Sequence, residues 1–425
     1  MWLLDAATIE LHEFPSSEAP LYAILSHTWG PEEVSFRDLR DDRDNACKKA
    51  GFAKIQRCCK KTLEDRLEWV WIDTCCIDKQ SSAEVAESIN SMYAWYRDAT
   101  LCYAYLEDIP TGQLVRMVDI MDRSRWFTRG WTLQELIAPT KILFLNGDWD
   151  IIGKKYAKYL TNIQGLGNDK QHQLFLRRIS DITGIPEDIL DQTRELSEVC
   201  IATRMTWASQ RQTTKEEDRA YCLMGLFDVN IPVIYGEGLE KAFRRLQIEI
   251  MNHSPDQTIF AWNYDMVAHE RSWRGGLTAP SPQCFAGLRT IERCEIEKRT
   301  IRPFSMTNAG LSITLPVRNI ENSVLDYEAI LECRYVDGFR QQSGYIVIPL
   351  SRWNSSKEST LNQFLFDIGR MSWWNITIAQ EGFKIFTGEV TEEFQYMDLF
   401  IIGEDQSRKV RERRRWLELR RLGLA

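Results

Sequence analysis

Four apolar runs in the first 152 residues, each ending in turn or polar residues, constrain the fold more than any other feature of this chain. They are LYAILSHTWG (21–30), LEWVWIDTCCID (67–78), ATLCYAYLEDIP (99–110) and KILFLNGDWDII (141–152). None shows the polar alternation of a half-exposed strand, so each reads as a strand covered on both faces. Between the second and third runs, Val85, Ile89, Met92, Tyr93 and Tyr96 recur at helical spacing. Strands alternating with helices predict a parallel α/β sheet flanked by helices, and the doubly wound, flavodoxin-like version is the simplest.

Beyond residue 152 the pattern changes twice. Residues 153–258 read as a helical extension covering the sheet. Ala220, Leu223, Met224 and Phe227 mark one amphipathic face, and Leu239, Ala242, Phe243, Leu246 and Ile250 another. From 259 to 407, NAGLSITLPV, YEAILECRYV, SGYIVIPLSRW, WNITIAQ, FKIFTGEV and YMDLFIIG predict a C-terminal antiparallel β domain. A basic helical tail, 408–425, carries eight Arg/Lys against two Glu in a chain of net charge −8. Such a tail could meet nucleic acid or an acidic membrane, but a solvated helix is the expected reading, with no specific nucleic acid as partner.

No segment approaches the roughly 18 apolar residues that cross a bilayer. MWLLDAATIELHEF meets Asp5 after Trp2, Leu3 and Leu4 and has no basic flank, so a secretory signal is not expected. A cytoplasmic chain follows, with the 11 cysteines as thiols. No C-x-x-C, P-loop or G-x-G-x-x-G occurs, so no metal and no tightly bound cofactor are expected.

Ligands of parallel sheets collect beyond the carboxyl ends of the strands. The first run delivers Ser26, His27, Trp29 and Gly30 there, the second Asp73 and Cys75, the third Asp108. RSRWFTRGWTLQEL (123–136) then sets Glu135 on a short helix, four residues after Trp131 and on its face. A carboxylate among such rings is costly unless paired. It therefore answers either to a salt bridge with Arg125 or Arg129, or to chemistry. Trp29 and Trp131 are core packing or ring-stacking walls. Asp73 caps a loop or meets ligand, and Cys75 with His27 as base offers a nucleophile alternative. Lys79, Arg125 and Arg129 are the available phosphate contacts.

LSHTWG, WIDTCCIDK, SINSMYAWYRDATLCYAYLED and SRWFTRGWTLQELIAP, in this order, resemble the fungal heterokaryon incompatibility (HET) domain, over about residues 20–260. HET domains are in turn remotely similar to TIR domains. WTLQEL (131–136) resembles the TIR pattern W-C-x-x-E-L with Thr132 in the Cys place, while the first loop is one residue longer. The resemblance implies self/non-self recognition and regulated cell death, and marks Glu135 as the catalytic residue of NAD cleavage; His27 and Asp73, at the strand ends, are the candidate catalytic groups beside it. Ser26, Trp29, Gly30, Cys75, Asp108 and Trp131 are then the ligand-contacting set. NAD would be a substrate, not a bound cofactor. Two alternatives stand beside this: a non-catalytic module signalling by self-association or through a partner protein, and a metabolic enzyme using the same pocket on a small organic substrate.

Overall fold

The structure, a computed structural model, describes residues 1–112, 120–163, 170–263, 277–288, 291–294, 296, 303–307, 310–319, 326–337, 342–352, 363–366, 384–386 and 394–402. The basic tail and WNITIAQ lie outside the described residues. Two compact units form: Met1–Glu198 with Gln210–Gly236, and Val199–Ser209 with Glu237–Ala425.

The first unit is built on seven strands: β1 (Trp2–Asp5), β2 (Leu11–Glu13), β3 (Tyr22–His27), β4 (Trp69–Ile72), β5 (Leu101–Tyr105), β6 (Lys141–Leu145) and β7 (Ile151–Tyr156). Their order is β2-β1-β4-β3-β5-β6-β7. The central β4, β3, β5 and β6 are mutually parallel, and each comes from one of the four apolar runs. The outer strands are antiparallel additions. From β3 the chain moves to one side to make β4, then crosses to the other side for β5. Strand order therefore reverses between β3 and β5, the place where parallel sheets of this kind collect ligands beyond the strand ends.

The connecting helices are α1 (Phe36–Asp41), α2 (Arg43–Ala46), α3 (Ala50–Glu64), α4 (Ser82–Asp98) and α5 (Thr132–Ile137). Ser35 and Asp38 close a capping box on α1, and Ser81 accepts from the Glu84 N–H to start α4. Register decides which side chains share a face. Trp71 of β4 lies opposite Ile24 and packs edge-on against Trp95 and Tyr96 of α4. Tyr22, Ile24 and Ser26 therefore face α4. Leu25 and His27 take the opposite face with Tyr103 and Tyr105, and the Tyr103 hydroxyl donates to Asp65, just beyond α3, at 2.8 Å. Ser26 and His27 thus deliver adjacent side chains to opposite sides of one strand end.

Two local expectations change, and one segment that the sequence leaves unassigned takes on structure. KILFLNGDWDII is two strands, because Asn146 Oδ1 accepts from the Asp148 and Asp150 N–H groups at 3.0 and 2.8 Å and turns the chain. MWLLDAATIELHEF forms the β1–β2 hairpin. The helix read through DRAYCLMGLF breaks into Asp218–Tyr221 and Met224–Phe227. Gly225 lies so close to the Tyr93 ring that a Cβ would overlap it. Gly225→Val is expected to destabilise the unit by about 1–3 kcal/mol through overpacking, read as a lower urea midpoint.

Among the described residues the second unit carries an eight-stranded sheet. Its longest strands, Gly310–Asn319, Asp326–Asp337 and Gln342–Arg352, pair antiparallel. Among the described residues one pairing is parallel, between Gln363–Phe366 and Gln395–Ile402. Helix Leu239–His253 buries Ala242, Phe243, Leu246 and Ile250, the face its spacing predicts. The helical stretch 153–258 is shared: Lys170–Thr183 belongs to the first unit, Ile201–Ala208 and Leu239–His253 to the second. Among the described residues no helix is long and apolar enough to cross a membrane, and no cluster of three or more metal-ligating side chains forms.

Candidate functional site

All six residues of α5 are buried. The terminal carbonyls of so short a helix need partners from elsewhere. Lys155, wholly buried, donates through Nζ to Pro139 O at 2.6 Å and Ile137 O at 3.4 Å. Gln192 Nε2 lies 3.3 Å from the carbonyls of Ile137, Ala138 and Pro139. Burial pushes the Lys155 amine down to about 7. At the other end, Arg211 donates to Arg129 O at 2.8 Å and to Thr132 Oγ1 at 3.0 Å. Glu135 is therefore carried on a helix fixed at both ends.

Glu135 is 7% exposed, and its carboxyl accepts from Ser26 Oγ, which itself accepts from Trp126 Nε1 at 2.7 Å. Tyr96, whose hydroxyl donates to Leu25 O at 3.2 Å, also hydrogen-bonds Glu135. Neither arginine considered from the sequence pairs with it. Arg125 turns to Asp108, and Arg129 donates to Thr214 at 3.2 Å. Burial pushes the Glu135 carboxyl up to about 8; the Ser26 bond opposes this and the nearby Asp73 charge adds to it. The acid is thus largely protonated at neutral pH.

On the opposite face, the His27 ring lies between Asp73 Oδ1, 3.7 Å from Nδ1, and Glu33 Oε1, 3.9 Å from Nε2. Both distances exceed hydrogen-bonding length. Both His27 nitrogens, Asp73 Oδ1 and Thr74 Oγ1 are buried without a hydrogen-bond partner. Buried polar groups left unpaired are rare and mark a strained or ligand-facing place. Burial first, then Lys54 and Lys79, hold the His27 pKa well below its usual value, so the ring is neutral. Asp73 Oδ2 accepts from Trp29 Nε1 at 2.7 Å, and the Lys79 ammonium sits 3.5 Å from the Trp29 ring centroid. Gly30 N donates to Glu33 Oε1 at 2.6 Å, the oxygen that also pairs with Lys54.

Of the residues expected from the sequence, Ser26 and Glu135 meet on the α4 side of the β3 end, His27, Asp73 and Trp29 meet on the opposite side, and Gly30 joins the latter through Glu33. Asp108 instead accepts from Ser124 Oγ at 2.6 Å and the Arg125 N–H at 2.8 Å. Trp131 donates to Asp218 Oδ2 at 3.2 Å. Cys75 is fully buried and burial raises its thiol well above the ordinary range, which leaves little thiolate for nucleophilic attack. Tyr96 and Trp126 beside Glu135, and Glu33 and Lys54 beside His27, were not singled out from the sequence as site residues. Tyr96 lies on the apolar face of α4, where a ring signals core packing and hides its hydroxyl.

A family model described as Heterokaryon incompatibility protein (HET) matches residues 22–120, and one described as Domain of unknown function (DUF8212) matches 241–286. The first match takes in Ser26, His27, Trp29, Gly30, Asp73, Cys75 and Asp108; Trp131 and Glu135 follow it. Vegetative incompatibility protein HET-E-1 of Podospora anserina is 46% identical over 245 residues, which is 56% of this chain and 17% of that protein. The chain thus spans about one sixth of the length of the curated relative it matches. No solved structure matches. The ordered motifs, the family match across β3, β4 and β5 and the identity to an incompatibility protein together identify the chain as a HET-domain protein.

Proposed function

We propose that the chain acts in heterokaryon incompatibility, the role carried in its relative's name, and that its first unit cleaves the N-glycosidic bond of NAD or a related nucleotide through Glu135 on a TIR-like fold. One observation carries the reading: a buried carboxyl with no ion-pair partner among the described residues stands at the strand-order reversal of a parallel sheet. The core order β4-β3-β5-β6, which is second-first-third-fourth along the chain, supports the TIR-like part.

Breaking the bond between nicotinamide and ribose sends the bonding pair to the ring nitrogen, and the ring departs neutral without a general acid. Positive charge is left on the sugar, as in glycoside hydrolysis, until water adds at the anomeric carbon and releases a proton. A fixed carboxylate beside that centre stabilises the charge most where water is excluded. Free Glu135 holds its proton until about pH 8. A cationic nicotinamide ring beside it favours the ionised form, so substrate binding below that pH displaces a proton.

The test is nicotinamide release from NAD by purified protein, followed by chromatography from pH 6 to 9. We expect kcat/KM to rise with pH through about 8, since that profile reports the free protein. No release at any pH, or release unchanged in Glu135→Gln, would overturn the reading.

A further inference from the structure

On the α3 face, around the corner of β3 from Glu135, lies a cleft of about 210 Å³ with charged and aromatic walls. Tyr105, the strand neighbour of His27, stacks on Trp149 with ring centroids 4.8 Å apart and planes 25° from parallel. Trp149 has φ of +71°, a backbone conformation that bulky side chains rarely adopt. The β6–β7 turn imposes it: Trp149 N donates to Asn146 O at 3.0 Å while the Asn146 side chain ties both flanking residues. Strain of this kind persists only where the surroundings over-determine it, and it clusters at ligand sites. Here it presents an indole to the cleft.

Two of the charges that line the cleft are not paired within the described protein. Lys54 is paired with Glu33. Arg57, one turn further along α3, is exposed and has no ion-pair partner among the described residues, and Glu107 lines the cleft equally unpaired. An aromatic wall, a free guanidinium and a free carboxylate are the three elements that hold a base, a phosphate and ribose hydroxyls. Below the ~300–1,000 Å³ of sites that enclose a drug-sized ligand, the cleft suits one nucleotide and not a whole dinucleotide.

We propose that this cleft is a nucleotide-binding subsite: Trp149 and Tyr105 carry a purine ring, Arg57 the phosphate and Glu107 the ribose diol. As the seat of the non-reacting half of a dinucleotide whose other half meets Glu135, it rests on the proposed function. Glu33 lines the cleft, and its Oε1 lies 3.9 Å from Nε2 of His27, the residue that follows Ser26 on β3.

The probe is AMP, titrated into the whole chain by calorimetry, with ribose 5-phosphate as the ringless control. AMP is expected to bind saturably and ribose 5-phosphate about tenfold or more weakly. Trp149→Ala and Arg57→Ala should each weaken AMP about tenfold or more, Arg57 being an exposed position whose loss does not threaten the fold. Glu135→Gln should leave AMP binding unchanged. Absence of AMP binding, or binding indifferent to both substitutions, overturns the subsite. Cleavage of NAD without AMP binding would sink the subsite alone; AMP binding without cleavage would sustain it and remove the glycosidic reading.

Discussion

Glu135→Gln should abolish NAD cleavage, by about a hundredfold or more, while leaving the protein at least as stable as the parent at pH 8. The catalytic part follows from removing one preorganised charge from a water-poor site, which costs on the order of 10²–10³ in rate. The stability part follows from burial. Folding raises the Glu135 carboxyl from its ordinary 4.5 to about 8. Below pH 4.5 the group is protonated in both states and burial costs nothing extra. Between 4.5 and 8 the unfolded chain ionises and the folded one does not, so unfolding releases a proton and rising pH favours it. Above 8 both states are ionised and the loss is complete. The parent should therefore lose stability across this window, by about 1.4 kcal/mol per pH unit at most. The amide cannot ionise and still accepts from Ser26. Urea midpoints at pH 5 and pH 8 read the difference: the parent should fall and the variant should hold level through this group. Equal slopes would contradict the burial of Glu135.

Trp126→Ala carries the largest expected loss of stability. The indole is 1% exposed and meets Phe127 and Phe144 edge-on, with centroids 5.0 and 5.8 Å away. Removing a core ring of this size costs about 3–5 kcal/mol, transfer and cavity together. The indole N–H also fixes the Ser26 hydroxyl, leaving that proton for Glu135. Trp126→Phe separates the two contributions. It keeps most of the ring volume and loses the N–H, so stability should fall by about 1–2 kcal/mol. Glycosidic activity should fall further than that loss of folded protein explains. A Trp126→Phe protein with full activity per folded molecule would show that the Ser26 orientation is irrelevant.

The parallel core was legible because strands buried on both faces must be apolar throughout, and four such runs became four adjacent strands. The outer strands were not, for a matching reason. β2 is a three-residue edge strand in which His12 and Glu13 face solvent, so nothing in LHE requires a sheet. β7 hides behind Asn146, whose side chain makes the turn that splits an apparently continuous run. At the site, residue type led to Glu135, His27 and Asp73, since acids and imidazoles at strand ends are conspicuous. Their partners were out of reach. Trp126 meets Ser26 across 100 residues of chain, and Trp131 meets Asp218 across 87. Lys155 reads as a surface residue in IIGKKY, yet it is buried and tied to the end of the Glu135 helix. Periodicity reports which face is apolar; it says nothing about which polar atom on that face another element will claim.

The most direct test is the titration of Glu135 itself, followed by NMR of protein carrying ¹³C at the glutamate carboxyl and assigned by difference against Glu135→Gln. A midpoint near 8, moving downward when a cationic nicotinamide nucleotide is added, is the expected result. A midpoint in the ordinary carboxylate range near 4.5, indifferent to that ligand, would mean that the acid is solvated or paired, and no cation-stabilising site would remain at the end of β3.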